Sequence, residues 1–173
     1  MTVSEVMTHD VVTVSPNTSF EDVVNLLVSY EISGVPVINE SQEILGVVSE
    51  KDILLKLFPE EKEFYSDTNY YLNYDRIEEE VGSLRKFVAK DFMSQNVIWV
   101  HPEDHILKAC ALLLVHKVRR LPVLKDKHVI GIVTTRGIYG KFLKQVTSIP
   151  ENQPIEQKVS TLKIPLNPDS SKN

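Results

Sequence analysis

The chain has 173 residues, of which 42% are hydrophobic and 25% are charged, and its formal net charge is -5. This composition is typical of a soluble globular protein, and the length suffices for one substantial core or two small ones. The single cysteine, Cys110, excludes an internal disulfide framework and a multi-cysteine zinc site.

The first residues lack the basic start and apolar run of a secretory signal, and no apolar segment approaches the roughly 18 residues that cross a membrane. We therefore expect a cytoplasmic protein. Charge is unevenly distributed, because residues 1–58 hold two lysines and nine acids, whereas residues 91–145 hold nine lysines and arginines and four acids. Only the second region therefore offers an attractive field to an anion, and general nucleic-acid binding is disfavoured by the net charge.

The first predicted elements are a strand and a helix. The β-branched segment Val11–Val14 predicts a strand, which Pro16 ends. Thr18 and Glu21 have the spacing of a capping box, and the apolar residues that follow recur with helical periodicity. The sequence therefore predicts that a helix begins at Thr18.

Two strands and a second helix follow. Residues 35–38 and 44–48 are apolar and are separated by polar turn residues. Because proline cannot donate a ladder hydrogen bond, we expect Pro36 at the start of its strand or on a free edge. The second helix is predicted to begin at Glu50 and to run to about Phe58. The order of elements is therefore strand, helix, strand, strand, helix.

The same order recurs in the second half of the chain, and this repeat decides the architecture. Matching residues lie 86 positions apart up to the last hairpin and 85 positions apart after it, so the second hairpin is one residue shorter. The matching pairs include Met7 and Met93, Val14 and Val100, Pro16 and Pro102, Pro36 and Pro122, and Gly46 and Gly131.

The repeat divides the chain into a first motif (1–58), an insert (59–90), a second motif (91–145) and a tail (146–173). The insert begins with tyrosines among acidic residues and continues as a predicted amphipathic helix that includes Leu84 and Val88. It either folds over the core or forms a surface for a partner protein. The proline- and serine-rich tail is predicted to be a flexible extension.

The duplicated Pro-Val strands and the two Gly-x-x-Ser/Thr junctions, Gly46–Asp52 and Gly131–Thr134, resemble a tandem pair of CBS domains, or Bateman module. The resemblance implies an α/β fold with two β-α-β-β-α motifs. It further implies that the motifs pack through their sheets with pseudo-twofold symmetry around a cleft. The resemblance does not cover the helical insert that lies between the motifs in sequence. It also implies assembly into a disc-shaped homodimer.

The resemblance implies a ligand as well. CBS pairs commonly bind AMP, ADP, ATP or S-adenosylmethionine as a regulatory ligand rather than a required cofactor, and so control an attached or partner protein. The family motif falls on Ser49, which is expected near phosphate, and on Asp52, which is expected on the ribose hydroxyls. A carboxylate can accept hydrogen bonds from both hydroxyls of a vicinal diol, and a helix N-terminus attracts phosphate.

The adenine is expected against the first strand and the adjoining proline edge. Backbone groups of the first strand are candidates for reading the polar edge of the base. These positions are apolar and would belong to the core in any case, so the sequence does not separate the two uses. The residues are Thr13, Val14, Val35 and Pro36.

The second copy departs from the family pattern. Thr134, the counterpart of Ser49, can still cap its helix, but Gly137 stands where the ribose carboxylate is expected. We therefore expect only one of the two related sites to bind an adenosine ligand well.

The densest basic cluster is residues 116–120. Arg119 or Arg120 would reach across the cleft to phosphate, since a planar guanidinium can grip two phosphate oxygens. Their counterparts in the first copy, Ser33 and Gly34, are uncharged, which fits a one-sided site. The alternative is that the cluster is the solvated end of a helix, where cations complement the dipole.

Two further alternatives remain open. Ser49 and Asp52 also have the spacing of a capping box, which alone would explain both residues. The whole chain would then be an interaction module without a ligand, which uses its tyrosine-rich insert and its dimer surface. Nucleic-acid binding through the basic second copy is a third reading.

Catalytic and metal-binding patterns are absent from the sequence. It contains no P-loop, no zinc-ligand spacing and no nucleophile paired with a base. His101 and His105 are four residues apart, but Pro102 lies between them and no third ligand is near. We therefore predict a protein that is not an enzyme and holds no metal.

Overall fold

The structure, a computed structural model, describes residues 1–57 and 82–144. The tyrosine-rich part of the insert and the predicted tail therefore lie outside the described residues. No helix in the two described ranges has the length and apolar character that crossing a bilayer requires.

The first copy contains two helices around one hairpin. Helix α1 spans Phe20–Ser29, strand β1 spans Gly34–Ile38, strand β2 spans Ile44–Ser49 and helix α2 spans Glu50–Leu57. The two strands pair antiparallel in a two-stranded sheet. Strand β1 is buried along its whole length, which explains its continuous apolar sequence.

The second copy repeats this arrangement. Helix α3 spans Ile106–Val115, strands β3 and β4 span Arg120–Lys125 and His128–Thr134, and helix α4 spans Thr135–Ile138. A π-helical segment, Tyr139–Leu143, continues α4. The fold is therefore α/β, with one small antiparallel sheet in each copy.

The predicted strand Val11–Val14 is wrong in extent. Only Val14 pairs with β1, where its N–H donates to the Pro36 carbonyl at 3.0 Å and its carbonyl accepts from the Ile38 N–H at 3.0 Å. The next bond of this parallel ladder would need an N–H from Pro36, which proline lacks, so the pairing stops after one residue. Val100 forms the same single bridge beside Pro122 in the second copy.

Pro36 itself lies in the middle of β1 and not at its start. Its carbonyl faces Val14, and the N and C=O of one strand residue point to the same side. The missing N–H therefore lies on the side of β1 away from β2. The proline therefore costs no hydrogen bond within the antiparallel pair. The edge that its nitrogen faces is not free, because Val14 bridges β1 there, so the expectation of a strand start or a free edge is wrong.

The first helix begins one residue later than predicted. Ser19 is the N-cap, and its Oγ accepts from the Asp22 N–H at 3.1 Å and donates to Asp22 Oδ2 at 2.7 Å. Thr18 instead accepts a hydrogen bond from the Ser15 N–H at 3.0 Å. The predicted capping pair of Thr18 and Glu21 is therefore wrong. The sequence pattern fits either residue, because Thr18 and Ser19 are both hydroxyl residues with a carboxylate three positions later.

The helix of the insert also ends earlier than predicted. Residues 82–84 are helical, and Leu84 is buried. Val88 has the extended backbone angles φ -119° and ψ 164° and bridges Ser19. Val88 is therefore the start of the connection to the second copy and not part of the helix.

The two copies exchange the segments that precede them. Val3, Val6 and Met7 pack into the core of the second copy, while Ala89 and Phe92 pack into the core of the first copy. The core of each copy therefore includes residues from the segment that leads into the other copy.

Backbone hydrogen bonds and two glycines fix this exchange. Ser94 pairs with Val47 of β2 through bonds of 2.9 and 3.0 Å, and Thr8 pairs with Ile132 of β4 through two bonds of 2.9 Å. A Cβ at Gly46 would lie 2.7 Å from Met93 Sδ, and one at Gly131 would lie 2.6 Å from Met7 Sδ. A side chain at either position would have to displace the methionine, and the Ser94 and Thr8 carbonyls would lie only 3.0 and 3.1 Å from the added Cβ, so glycine is favoured at both.

Candidate functional site

A cleft of about 440 Å³ lies where the first junction meets the second copy. One wall comes from the end of β2 and the start of α2. The other comes from the segment before α3, the connection from α3 to β3 and the start of β3. The apolar part of its lining is Val47, Leu55, Val97, Ile98, Val118 and Pro122.

Asp52 lies in this cleft and forms a capping box with Ser49. Its Oδ2 accepts from the Ser49 N–H at 2.7 Å and from the Ser49 hydroxyl, and the Asp52 N–H donates to Ser49 Oγ at 3.4 Å. The capping interpretation of these two residues is therefore correct. It does not exclude a ligand, because only Oδ2 takes part in the capping box and Oδ1 has a different partner.

Ser94 is the partner of the other carboxylate oxygen. Its hydroxyl donates to Asp52 Oδ1 at 2.9 Å, across the two copies. Our interpretation of the sequence gave Ser94 no role. A signal existed, because Ser94 matches Thr8 in the repeat and both positions carry a hydroxyl next to a methionine.

The second junction has the cap without the carboxylate. Thr134 Oγ1 accepts from the Gly137 N–H at 3.0 Å, so Thr134 caps α4 as the sequence predicts. A Cβ at Gly137 would lie 3.3 Å from Thr134 Oγ1, which leaves little room for a side chain.

Arg120 is the first residue of β3 and is half-buried in the cleft. Its guanidinium donates to the Gly34 carbonyl of the first copy, and a Cβ at Gly34 would lie 2.7 Å from its Nη1. Across residues 1–57 and 82–144, no carboxylate lies within ion-pair distance of this guanidinium. Several of its N–H donors therefore stay available to an anion.

Burial lowers the pKa of Arg120 from its ordinary value, the neighbouring charge of Arg119 lowers it further, and Glu50 raises it. A guanidinium remains protonated at neutral pH even so. The site therefore holds a cation whose charge is only partly compensated, and a bound anion would stabilise it.

Arg119 lies beside Arg120 and connects both junctions. Its carbonyl accepts from the Thr135 N–H at 3.0 Å, at the start of α4. Its side chain is 73% exposed, and Nη2 lies 3.6 Å from Glu50 Oε2 at the start of α2. Sequence reasoning did not identify Glu50 as the partner of this arginine.

The structure brings four of the nine predicted binding residues together, namely Ser49, Asp52, Arg119 and Arg120. The other five do not line this cleft. Val14, Val35 and Pro36 are buried, Thr13 is half-buried, and Thr134 caps α4.

The exchange of segments explains this separation. Because the segment that precedes the second copy crosses to β2, Asp52 faces residues 96–98 and Pro122 rather than their counterparts 10–12 and Pro36. Most of the apolar lining therefore comes from the second copy, while Val47 and Leu55 come from the first.

The charged lining of the cleft is mostly positive. Lys51, Lys117, Arg119 and Arg120 line it, and among the described residues of the lining Asp52 is the only one with a carboxylate. The cleft therefore attracts anions although the whole chain carries a net charge of -5.

The histidines considered for a metal have other contacts. The rings of His101 and Trp99 pack edge to face with centroids 4.7 Å apart, and His105 Nδ1 accepts from the Leu107 N–H at 3.3 Å. In the part of the chain that the structure describes, no three His, Cys, Asp or Glu residues are placed to hold a metal ion.

Comparison with known proteins places these features in a family. The sequence matches the CBS domain family over residues 3–58 and again over residues 89–144. It is 34% identical over 147 residues to the chloroplastic CBS domain-containing protein CBSX2 of Arabidopsis thaliana, a match that covers 80% of this chain and 61% of that protein. The chain thus spans about three fifths of the length of this relative.

Solved structures show the same fold. The crystal structure of CBSX2 in complex with AMP has a TM-score of 0.65 and 30% identity, and the match covers 84% of this chain and 98% of that chain. The CBS domain pair of protein MJ0100, in complex with 5'-methylthioadenosine and S-adenosyl-L-methionine, has a TM-score of 0.63 at 18% identity, over 84% of this chain and 98% of that one. The second likeness concerns the fold alone.

Enzymes also contain a related segment. Inosine-5'-monophosphate dehydrogenase of Methanocaldococcus jannaschii is 27% identical over 135 residues, which are 78% of this chain but 22% of the enzyme. The likeness therefore concerns a minor part of that protein.

Proposed function

The chain belongs to the CBS domain family as a tandem pair of these domains, and on this basis we propose that it is a regulatory module that binds an adenine nucleotide beside Asp52. Binding would control a separate protein. The module itself would catalyse no reaction and would need no cofactor.

One observation carries this proposal. A single cleft holds a carboxylate from the first copy, Asp52, and two guanidinium groups from the second, Arg119 and Arg120. A nucleoside phosphate offers the complementary groups, a ribose diol that donates and a phosphate that accepts. A ligand of this kind would contact both copies at once.

The proposed placement of the ligand follows from the lining. Asp52 Oδ1 would accept from the ribose, either beside Ser94 or in its place. The half-buried Arg120 would bind the phosphate. The adenine would pack against Val97, Ile98 and Pro122, which are part of the apolar lining that the second copy supplies.

The charge of the cleft favours AMP, ADP or ATP over S-adenosylmethionine, whose sulfonium is cationic. The complex of the similar protein CBSX2 with AMP supports the same choice. S-adenosylmethionine remains the alternative adenosine ligand.

The sequence-based expectation that the copies pack through their sheets with pseudo-twofold symmetry is part of this proposal. It is supported by the paired contacts between the copies, in which Ser94 binds β2 as Thr8 binds β4. A cytoplasmic location stays a prediction from the sequence.

We further propose that the module forms a homodimer through its helices. Large apolar residues are exposed at matching positions of the two copies, namely Val28 (72%) and Leu114 (78%), and Leu54 (53%) and Tyr139 (65%). A surface with this internal repeat suits a second copy of the same chain. Leu114→Glu should shift the protein to a monomer in analytical ultracentrifugation, and an unchanged dimer would place the interface elsewhere.

Titration calorimetry with AMP and with adenosine tests the proposed function. Arg120→Ala should weaken AMP binding about tenfold and leave adenosine binding within about twofold, because only AMP has a phosphate. Arg85→Ala is the matched control, since Arg85 pairs with Glu21 at 3.0 Å and does not line the cleft.

Two other outcomes would count against the proposal. An equal loss of AMP and adenosine binding would remove the phosphate role of Arg120. If no adenosine compound bound at millimolar concentration, the chain would instead be an interaction module without a ligand.

A further inference from the structure

Glu50 is an acidic residue beside the two arginines, and the proposed ligand does not use it. It is the first residue of α2, and its carboxylate lies 3.6 Å from Arg119 Nη2. The Glu50 side chain is 53% exposed, so burial does not hold it there. The ion pair with Arg119 is therefore exposed to solvent.

The field of Glu50 reaches both guanidinium groups. It pairs with Arg119, and its negative charge also raises the pKa of Arg120. The start of a helix presents free N–H groups and the positive end of its dipole, which favour an anion. Glu50 thus supplies a negative charge where a nucleotide phosphate would otherwise supply it.

The second junction lacks this carboxylate. Thr135 is the counterpart of Glu50, and its N–H and hydroxyl donate to the Arg119 carbonyl at 3.0 and 3.3 Å. The backbone of Arg119 is therefore fixed to the second junction, while its side chain reaches the first. The ion pair with Glu50 is a contact between the two copies.

We propose that Glu50 is a specificity-determining residue that competes with the ligand's phosphate for Arg119. This inference rests on the proposed nucleotide site. In the unliganded protein Glu50 neutralises Arg119, and a phosphate dianion displaces it because it carries more charge and can accept two hydrogen bonds from one guanidinium. Binding of a phosphate-bearing ligand therefore breaks the contact between Glu50 and Arg119, whereas adenosine leaves it intact.

The competition affects both the affinity for AMP and the structure of the bound state. Glu50 lowers the affinity for AMP below the value that the two arginines would give without it. The difference in affinity between AMP and neutral adenosine is therefore smaller than it would be without Glu50. The broken ion pair also gives the bound state a feature that depends on phosphate, since the Glu50 carboxylate and the Arg119 side chain separate.

Glu50→Gln tests the competition, because it removes the charge and keeps the shape. We expect AMP to bind about threefold to tenfold more tightly and adenosine binding to stay within about twofold, given the size of exposed ion pairs. Glu21→Gln is the matched control, because this carboxylate also pairs with an arginine, Arg85, but lies outside the cleft. It should change neither affinity.

A double variant tests whether Arg119 is the group for which Glu50 and the phosphate compete. In the Arg119→Ala background, Glu50→Gln should strengthen AMP binding clearly less than it does in the wild-type protein, because the competed group is gone. An undiminished effect would show that Glu50 acts on the ligand directly and would overturn the competition for Arg119.

The remaining outcomes separate this inference from the proposed function. If the wild-type protein binds AMP and Glu50→Gln leaves that affinity unchanged, weakens it or strengthens adenosine equally, the competition is refuted and the nucleotide site stands. If neither protein binds AMP or adenosine, both proposals fall.

Discussion

At the first junction α2 begins with Glu50, Lys51 and Asp52, whereas at the second junction α4 begins with Thr135, Arg136 and Gly137. Both helices follow a strand directly, and each begins after a hydroxyl residue that accepts from the backbone N–H three positions later. The comparison separates two functions of one motif. The hydroxyl starts the helix in both copies, and the carboxylate, present in one copy, adds a second cap bond through Oδ2 and accepts from Ser94 in the cleft through Oδ1.

The residues around the two junctions also differ in charge. Arg120, Arg119 and Lys117 line the cleft at the first junction, and their counterparts are Gly34, Ser33 and Glu31. Glu31 and Lys117 even share a left-handed backbone, with φ 51° and 53°. The copies thus keep the same backbone while the cations are concentrated on one side of the pair.

Among the substitutions that test the difference between the junctions, Gly34→Ala should have the largest effect. A Cβ at Gly34 would lie 2.6 Å from the Val48 carbonyl and 2.7 Å from Arg120 Nη1, and a backbone carbonyl cannot move aside cheaply. We expect a loss of about 2 kcal/mol in the free energy of unfolding, measured by denaturant titration, together with weaker AMP binding as Arg120 is displaced.

Gly140→Ala is the control for this change, because nothing lies within 4 Å of a Cβ added at Gly140. It should leave AMP affinity unchanged and should not lower the free energy of unfolding, because alanine is favoured over glycine by about 0.5–1 kcal/mol inside a helical segment. Wild-type stability and AMP affinity in Gly34→Ala would show that Arg120 is not held against Gly34.

Asp52→Asn should have the next largest effect. It keeps the shape and an acceptor for the cap but removes the charge, so we expect about tenfold weaker binding, or about 1.4 kcal/mol, for AMP and adenosine alike, since both carry the ribose. Titration calorimetry on protein with an unchanged circular dichroism spectrum measures this loss. Full affinity in Asp52→Asn would assign the carboxylate to the cap alone.

The smallest effect concerns the two caps. Ser49→Ala and Thr134→Ala should each lower the free energy of unfolding by about 1 kcal/mol, because each removes one N-cap hydroxyl. Only Ser49→Ala should also change AMP affinity, since Ser49 orients Asp52. Equal changes in AMP affinity for both variants would contradict the difference between the junctions.

Much of the site could be predicted from the repeat. The spacing of Ser49 and Asp52, the missing carboxylate at Gly137 and the adjacent arginines are local features that remain visible in the sequence. The choice of Ser19 over Thr18 as a cap was not predictable in this way, because both residues offer the same local hydrogen bond.

The apolar wall of the cleft could not be predicted for a different reason. The exchange of segments depends on contacts between distant residues, such as Ser94 with Val47 and Met93 with Gly46. A repeat shows which residues are equivalent but not which copy a segment packs against. The sequence predicted an apolar strand with a proline from the first copy, whereas the proline that lines the cleft with Asp52 is Pro122 of the second copy.

The number of AMP molecules bound by each chain tests the central claim most directly. Titration calorimetry of the wild-type protein should give one AMP per chain, because the first junction alone combines the carboxylate with the arginines. Asp52→Asn should weaken that one site and reveal no other of similar strength. Two sites of similar affinity per chain would contradict the account.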